Sequence, residues 1–293
     1  MDAWESRCGV WAAIVSHFNF TLNTLTSAER TGNLDRPPAT PKQVEHAPFA
    51  RLVRDSALEL MLTFVLLFGV ATIVRWVIGP SPISRAIPGI HAELWIVGAA
   101  VALLLSGLIV SPPGRISGAH TNPAISLAMW HFGVFPGEAV VPYGIAQLFG
   151  SVLGVIAARA VWGQVVAEPP VVYAALQPAA GWSTWQLFAT EFAGMAVIVF
   201  LVGLCLAVQR LMPFVPWIIG ALVGTGIAVL GTASGGSLNP ARQFGPAIAS
   251  GQTRFLWVYL FAPMVGAAFA AWLRRRIQNR RKVLTHRLCG TVG

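Results

Sequence analysis

A chain of 293 residues that is 55% hydrophobic and 11% charged, with a mean hydropathy of +0.66, is too apolar for a soluble domain. Its net charge of +9 does not point to nucleic acid. Arg274, Arg275, Arg276, Arg280, Arg281 and Lys282 follow directly on the last apolar run, where cytoplasmic flanks of membrane spans gather basic residues and meet anionic lipid.

Residues 1–50 mix apolar and charged residues without a lasting period and turn proline-rich at Pro37, Pro38 and Pro41. They read as a disordered cytosolic tail with a short surface helix near Trp11 to Phe20. Asn19-Phe20-Thr21 matches a glycosylation sequon, which has no meaning on a cytosolic segment. The absence of a basic stretch feeding a long apolar core argues against a cleavable signal peptide. Cys8, Cys205 and Cys289 are too few and too scattered for a disulfide framework or a metal site, so no metal and no cofactor are expected.

Six spanning helices are predicted, at 55–76, 93–111, 139–160, 186–208, 214–233 and 255–273. Each is near the roughly 20 residues that a hydrocarbon core of about 30 Å requires. Arg51 and Arg54 precede the first span, Arg115 lies between the second and third, and Arg210 between the fourth and fifth. With the C-terminal cluster they put both termini in the cytoplasm of a multi-pass protein of the cell membrane, against a weaker vote from Arg75 and Arg85. The expected organisation is a channel-like domain over 51–274, with repeats at about 55–160 and 186–273, and a basic cytosolic tail over 275–293.

Two segments between spans share a pattern. Ser117-Gly118-Ala119-His120-Thr121-Asn122-Pro123-Ala124 is matched by Ser234-Gly235-Gly236-Ser237-Leu238-Asn239-Pro240-Ala241-Arg242. Asparagine is a good helix cap, and proline at the next position loses only an N–H that had no helical partner. One Asn-Pro would read as a turn; two in matching places read as the starts of two helices. The apolar runs 124–131 and 241–249 are too short to cross a bilayer, so these are half-helices whose N-termini must face a protein-lined cavity. Glu59 in the first span is matched by Glu191 in the fourth, and three spans per half place the halves in opposite orientation. Gly150 with Gly154, and Gly220 with Gly224, mark close helix packing and say nothing about substrate.

The paired Asn-Pro-Ala motifs, with Arg242 after the second, resemble the signature of the aquaporin (major intrinsic protein) family over roughly residues 55–273. The resemblance implies an all-α membrane fold of six transmembrane helices and two re-entrant half-helices in an inverted repeat. It further implies a homotetramer in the lipid bilayer, with one pore per subunit.

Within that frame Asn122 and Asn239, backed by Pro123, Ala124, Pro240 and Ala241, would cap their helices through the amide oxygen and offer NH₂ to the pore. Two positive helix ends there repel cations and disfavour proton hopping. Glu59 and Glu191, acids inside apolar runs, are expected to accept N–H groups from the loops before the half-helices, and His120 to hold loop geometry. Arg242, always charged, binds hydroxyl oxygens and excludes cations.

By resemblance, fixed offsets from the asparagines place the narrowest ring at Ala102, Ile227, Gly236 and Arg242. Water-selective members resemble one another in placing an aromatic residue and a histidine there; this sequence has neither. The ring and Tyr259-Leu260 resemble the second group of plant nodulin-like intrinsic proteins, associated with boric acid. Gln243 stands where glycerol facilitators place aspartate, which argues against a dedicated glycerol channel. The expected function is passive conduction of small uncharged solutes, boric acid and related metalloid hydroxides of the arsenite type foremost, with glycerol, urea and water as further permeants.

The alternative within the family is a water- or glycerol-selective channel. A proton-coupled transporter using Glu59 or Glu191 is the alternative from another class. An enzyme is not expected, because no histidine sits in a persuasive catalytic setting beside Ser106 or Ser126.

Overall fold

The computed structural model describes residues 49–277. The expectations for the N-terminal tail up to residue 48, with its surface helix and sequon, and for residues 278–293 lie outside that range.

Ten α-helices follow one another in the described residues: α1 (Phe49–Val77), α2 (Pro82–Ala86), α3 (Ile90–Val110), α4 (Pro112–Ser117), α5 (Pro123–His131), α6 (Val140–Trp162), α7 (Thr184–Cys205), α8 (Val215–Leu230), α9 (Pro240–Ser250) and α10 (Leu256–Ile277). Six spans are long and apolar enough to cross a membrane: α1, α3, α6, α7, α10, and α8 taken together with the 3₁₀ segment Gln209–Phe214 that leads into it. The other helices are too short. At 1.5 Å per residue, α5 with 9 residues and α9 with 11 reach only about half of a ~30 Å core.

The first helix begins at Phe49, ahead of the expected 55. Hydropathy marks only the part of a helix that enters lipid. The preceding turn carries Arg51 and Arg54, whose guanidinium groups lie 3.9 and 2.8 Å from the Asp55 carboxylate, and such residues extend a helix into water. Ser183 opens α7 with a capping box, accepting from the Gln186 N–H while the Gln186 side chain accepts from the Ser183 N–H.

The two halves correspond as α1, α3, α5, α6 and α7, α8, α9, α10. Within each half the same helices pack, α1 on α6 and α7 on α10, and α3 packs on α8 between the halves. Backbone contact fixes these pairings. A Cβ added to Gly98 of α3 would stand 2.3 Å from the Gly224 carbonyl oxygen of α8, and one added to Gly224 would stand 2.4 Å from that of Gly98. The same crowding holds Gly150 of α6 against the Leu60 carbonyl and Gly266 of α10 against that of Phe192. Small residues let the helices approach to where dispersion, rather than the hydrophobic effect that lipid cannot supply, holds them together.

Candidate functional site

The loops before α5 and α9 descend from the ends of α4 and α8 with their backbones turned out of helical geometry. Gly118, Ala119 and Thr121 have positive φ, and so do Gly235, Gly236 and Leu238 at the matching positions. Backbone in this conformation cannot bond to itself as a helix does, and buried N–H groups must find partners elsewhere.

The two buried glutamates supply them. Glu59 Oε1 accepts from the His120 N–H at 3.0 Å and the Ser117 hydroxyl at 2.7 Å, while its Oε2 accepts from the Thr121 N–H at 2.7 Å and Gln147 Nε2 at 2.8 Å. Glu191 Oε1 accepts from the Ser237 N–H at 3.1 Å and the Ser234 hydroxyl at 2.7 Å, and Oε2 from the Leu238 N–H at 2.7 Å. Tyr143 and Tyr259 donate to the Ser117 and Ser234 carbonyls at 2.8 and 2.6 Å. His120 sets Nδ1 3.0 Å from the Ser126 hydroxyl, with its ring against Phe135 and Tyr143.

Asn122 and Asn239 stand at the tips of α5 and α9, with Pro123 and Pro240 as first helical residues. Asn122 Oδ1 accepts from the Ala124 N–H at 2.9 Å, and Asn239 Oδ1 from the N–H groups of Ala241 and Arg242 at 2.9 and 3.3 Å. One amide N–H of each crosses to the opposite loop. Asn122 Nδ2 donates to the Leu238 carbonyl at 3.0 Å and Asn239 Nδ2 to that of Thr121 at 2.9 Å. This reciprocal brace locks the half-helices tip to tip and leaves each NH₂ a second proton. Sequence reasoning gave each asparagine a cap and a donor, and missed the brace because it joins residues far apart in the chain.

A cavity of about 370 Å³ runs past this junction, bordered by Asn122, Asn239, His120, Gly236, Ile227 and Arg242 among others. Val97, Val101 and Leu105 of α3 face it, with Leu66, Val70 and Val74 of α1 and Met195 and Ile198 of α7. Ile227, Gly236 and Arg242 thus border one space.

Ala102 does not. It turns to α8, where its methyl carbon would lie 3.0 Å from a Cβ on Gly224, and Val101 takes the cavity-facing place. The ring position expected at Ala102 has Val101 as its neighbour on the cavity wall. A helix rotates about 100° per residue, so one step carries a side chain from the pore wall to the helix contact. The signal was present in the sequence: Gly98, Ala102 and Ser106 form a small-residue row at i, i+4 spacing, opposite Gly220 and Gly224.

The connection from α6 to α7 borders the same cavity as Arg242. Val171, Ala174, Leu176 and Gln177 border it. Arg242 Nη1 donates to the Ala174 carbonyl at 2.6 Å. Val172, Tyr173 and Ala174 all have positive φ, at 44°, 56° and 59°, a conformation that costs a non-glycine residue on the order of 1 kcal/mol or more. The connection's partners must hold it there. No sequence pattern announced this loop, because its shape is set by those partners.

The family model described as "Major intrinsic protein" matches residues 44–274. Among similar proteins is the probable aquaporin AqpM of Archaeoglobus fulgidus, 36% identical over 238 residues that cover 76% of this chain and 96% of that one. The probable aquaporin NIP7-1 of Arabidopsis thaliana is 34% identical over 224 residues, covering 75% and 74%. Among solved structures, the aquaglyceroporin from Plasmodium falciparum matches with a TM-score of 0.62 at 22% identity, over 77% of this chain and 96% of that one. That last likeness is one of fold.

Proposed function

Because the chain belongs to the major intrinsic protein family, whose members are passive channels and not enzymes, we propose that it conducts small uncharged hydroxyl-bearing solutes. Boric acid and related metalloid hydroxides come first, with glycerol, urea and water as further permeants. One observation carries this reading: no phenylalanine, tyrosine or tryptophan borders the cavity among the described residues. The α3 and α8 residues that share this cavity with Arg242, among them Val97, Val101, Leu105, Val223 and Ile227, are aliphatic, and Arg242 is the one arginine or lysine on the wall among the described residues.

The chemistry follows from that wall. Aliphatic surface offers a solute nothing in exchange for lost hydration, so the few polar groups set the barrier. A boric acid molecule is neutral near pH 7. Its hydroxyls can accept from Arg242 and from the free amide protons of Asn122 and Asn239, and donate to backbone carbonyls of the two loops. A cation meets Arg242 and two half-helix N-termini, each equivalent to about half a positive charge, and is turned back. The basic residues at the ends of α1, α4 and α10 support a cytoplasmic position for both termini. The family resemblance supports a homotetramer.

Stopped-flow light scattering on proteoliposomes tests the reading. Boric acid is expected to enter much faster than into empty vesicles, in proportion to its gradient and without regard to a pH difference. Uptake that saturates and follows a proton gradient would mark a coupled transporter using Glu59 or Glu191. Fast water with no boric acid entry would sink the solute assignment and leave the family intact.

A further inference from the structure

We infer that Gln243 is a positioning residue for the outer end of the pore: its amide clamps the α6–α7 connection in the place where the Ala174 carbonyl holds Arg242. The inference rests on the reading that this end lies on the solute's path. Gln243 does not border the cavity and is 1% exposed. Its Oε1 accepts from the Leu176 N–H at 3.0 Å and its Nε2 donates to the Leu176 carbonyl at 2.9 Å. A side-chain amide here pairs with a backbone peptide group as one strand would with another.

The geometry closes a ring. Arg242 and Gln243 are neighbours on α9, and Ala174 and Leu176 lie two residues apart on the connection. Arg242 takes the carbonyl of the first and Gln243 both polar groups of the second. The three left-handed residues just before Leu176 would relax if released. Two further ties hold the connection on the far side of Leu176 from Ala174: Gln177 Nε2 donates to Gln252 Oε1 at 3.1 Å on the exposed surface, and the Ala179 N–H to the Ala233 carbonyl at 2.7 Å. Loss of the clamp therefore frees the Ala174 carbonyl and, with it, the direction of the Arg242 guanidinium.

Gln243→Glu turns the clamp into a titratable one. A protonated carboxylic acid can still accept from the Leu176 N–H and donate to its carbonyl; the ionised form has no proton to donate and sets an oxygen against that carbonyl. The charged and titratable groups facing this region are Arg242, Glu191 of α7 and Tyr259 of α10. All three are common to wild type and variant, so the wild-type pH response isolates position 243.

The experiment measures boric acid and water permeability of proteoliposomes holding the full chain as wild type, Gln243→Leu or Gln243→Glu, at about pH 5 and about pH 8, on either side of a carboxyl group raised by burial. The wild-type ratio of boric acid to water is expected to be flat. Gln243→Leu should lower it roughly fivefold at both pH values, as for one hydrogen bond lost from the barrier. Gln243→Glu should match wild type at the acid value and fall with Gln243→Leu at the alkaline one. A Gln243→Glu ratio that does not change with pH overturns the clamp; where Gln243→Leu fails to insert, the two-pH comparison on one Gln243→Glu preparation still decides. A wild type that passes water but no boric acid overturns the substrate reading instead, and the clamp is then judged by the same pH contrast in water permeability.

Discussion

The loops entering α5 and α9 follow one path on opposite sides of the junction. Each has left-handed residues four, three and one positions before its asparagine, a serine at the fifth, a glutamate from the first helix of its half and a tyrosine from the last. They part in what they meet next. The first loop is tied inward: Gln147 bridges Glu59 and Ser126, and His120 packs on Phe135. The second is tied across the cavity, where Arg242 and Gln243 hold the α6–α7 connection. The shared parts answer a problem both halves have, buried non-helical backbone. The unshared parts set Arg242 on one side of the junction only, which breaks the symmetry of the scaffold.

The largest effect that would break this comparison is on folding. Glu59→Leu and Glu191→Leu each strand two backbone N–H groups and a serine hydroxyl, and at roughly 1 kcal/mol or more per buried orphan each should cost about 3 kcal/mol or more. Thermal unfolding in detergent should show both losses, and a large loss in one half with none in the other would mean the loops are not supported alike. Next is charge. Arg242→Ala should raise proton leak, read with a pH dye trapped in vesicles, by roughly tenfold, as for about 1.4 kcal/mol removed from the barrier. His120→Ala should raise it little, and an equal leak from both would erase the difference between the halves. The smallest effect sharpens the inward tie. Ser126→Ala removes a hydroxyl shared by His120 and Gln147 and should cost about 1 kcal/mol of stability without changing the ratio of boric acid to water permeability.

Much of this was legible in the chain because it is local. Asn-Pro caps, runs of apolar residues and the recurrence of Glu59 in Glu191 each report on their own neighbourhood, and they located the six spans, the half-helices and the inverted repeat. What was not legible depends on register and on distant partners. Counting back from Asn122 to α3 passes through Pro112–Ser117, a separate short helix, and the offset lands on Ala102, which packs on α8 beside the cavity-lining Val101. The reciprocal bonds between Asn122 and Leu238, and between Asn239 and Thr121, join loops that no periodicity connects. The pairing of Gln243 with Leu176 belongs to the same class, since the residue's identity signalled only a departure from a known pattern.

The central proposal is that an aliphatic wall, with Val101 on its α3 side, admits neutral solutes bulkier than water. The most direct measurement is the ratio of boric acid to water permeability in proteoliposomes holding the wild type, Val101→Trp or Ala102→Trp, each normalised to protein inserted. Val101→Trp should insert normally and cut the ratio by roughly tenfold or more, as for at least about 1.4 kcal/mol added to one solute's barrier. Ala102→Trp should instead drive into Gly224 and lower stability by about 1–3 kcal/mol or more. A Val101→Trp channel with the wild-type ratio, beside a well-folded Ala102→Trp channel that blocks boric acid, would contradict the account.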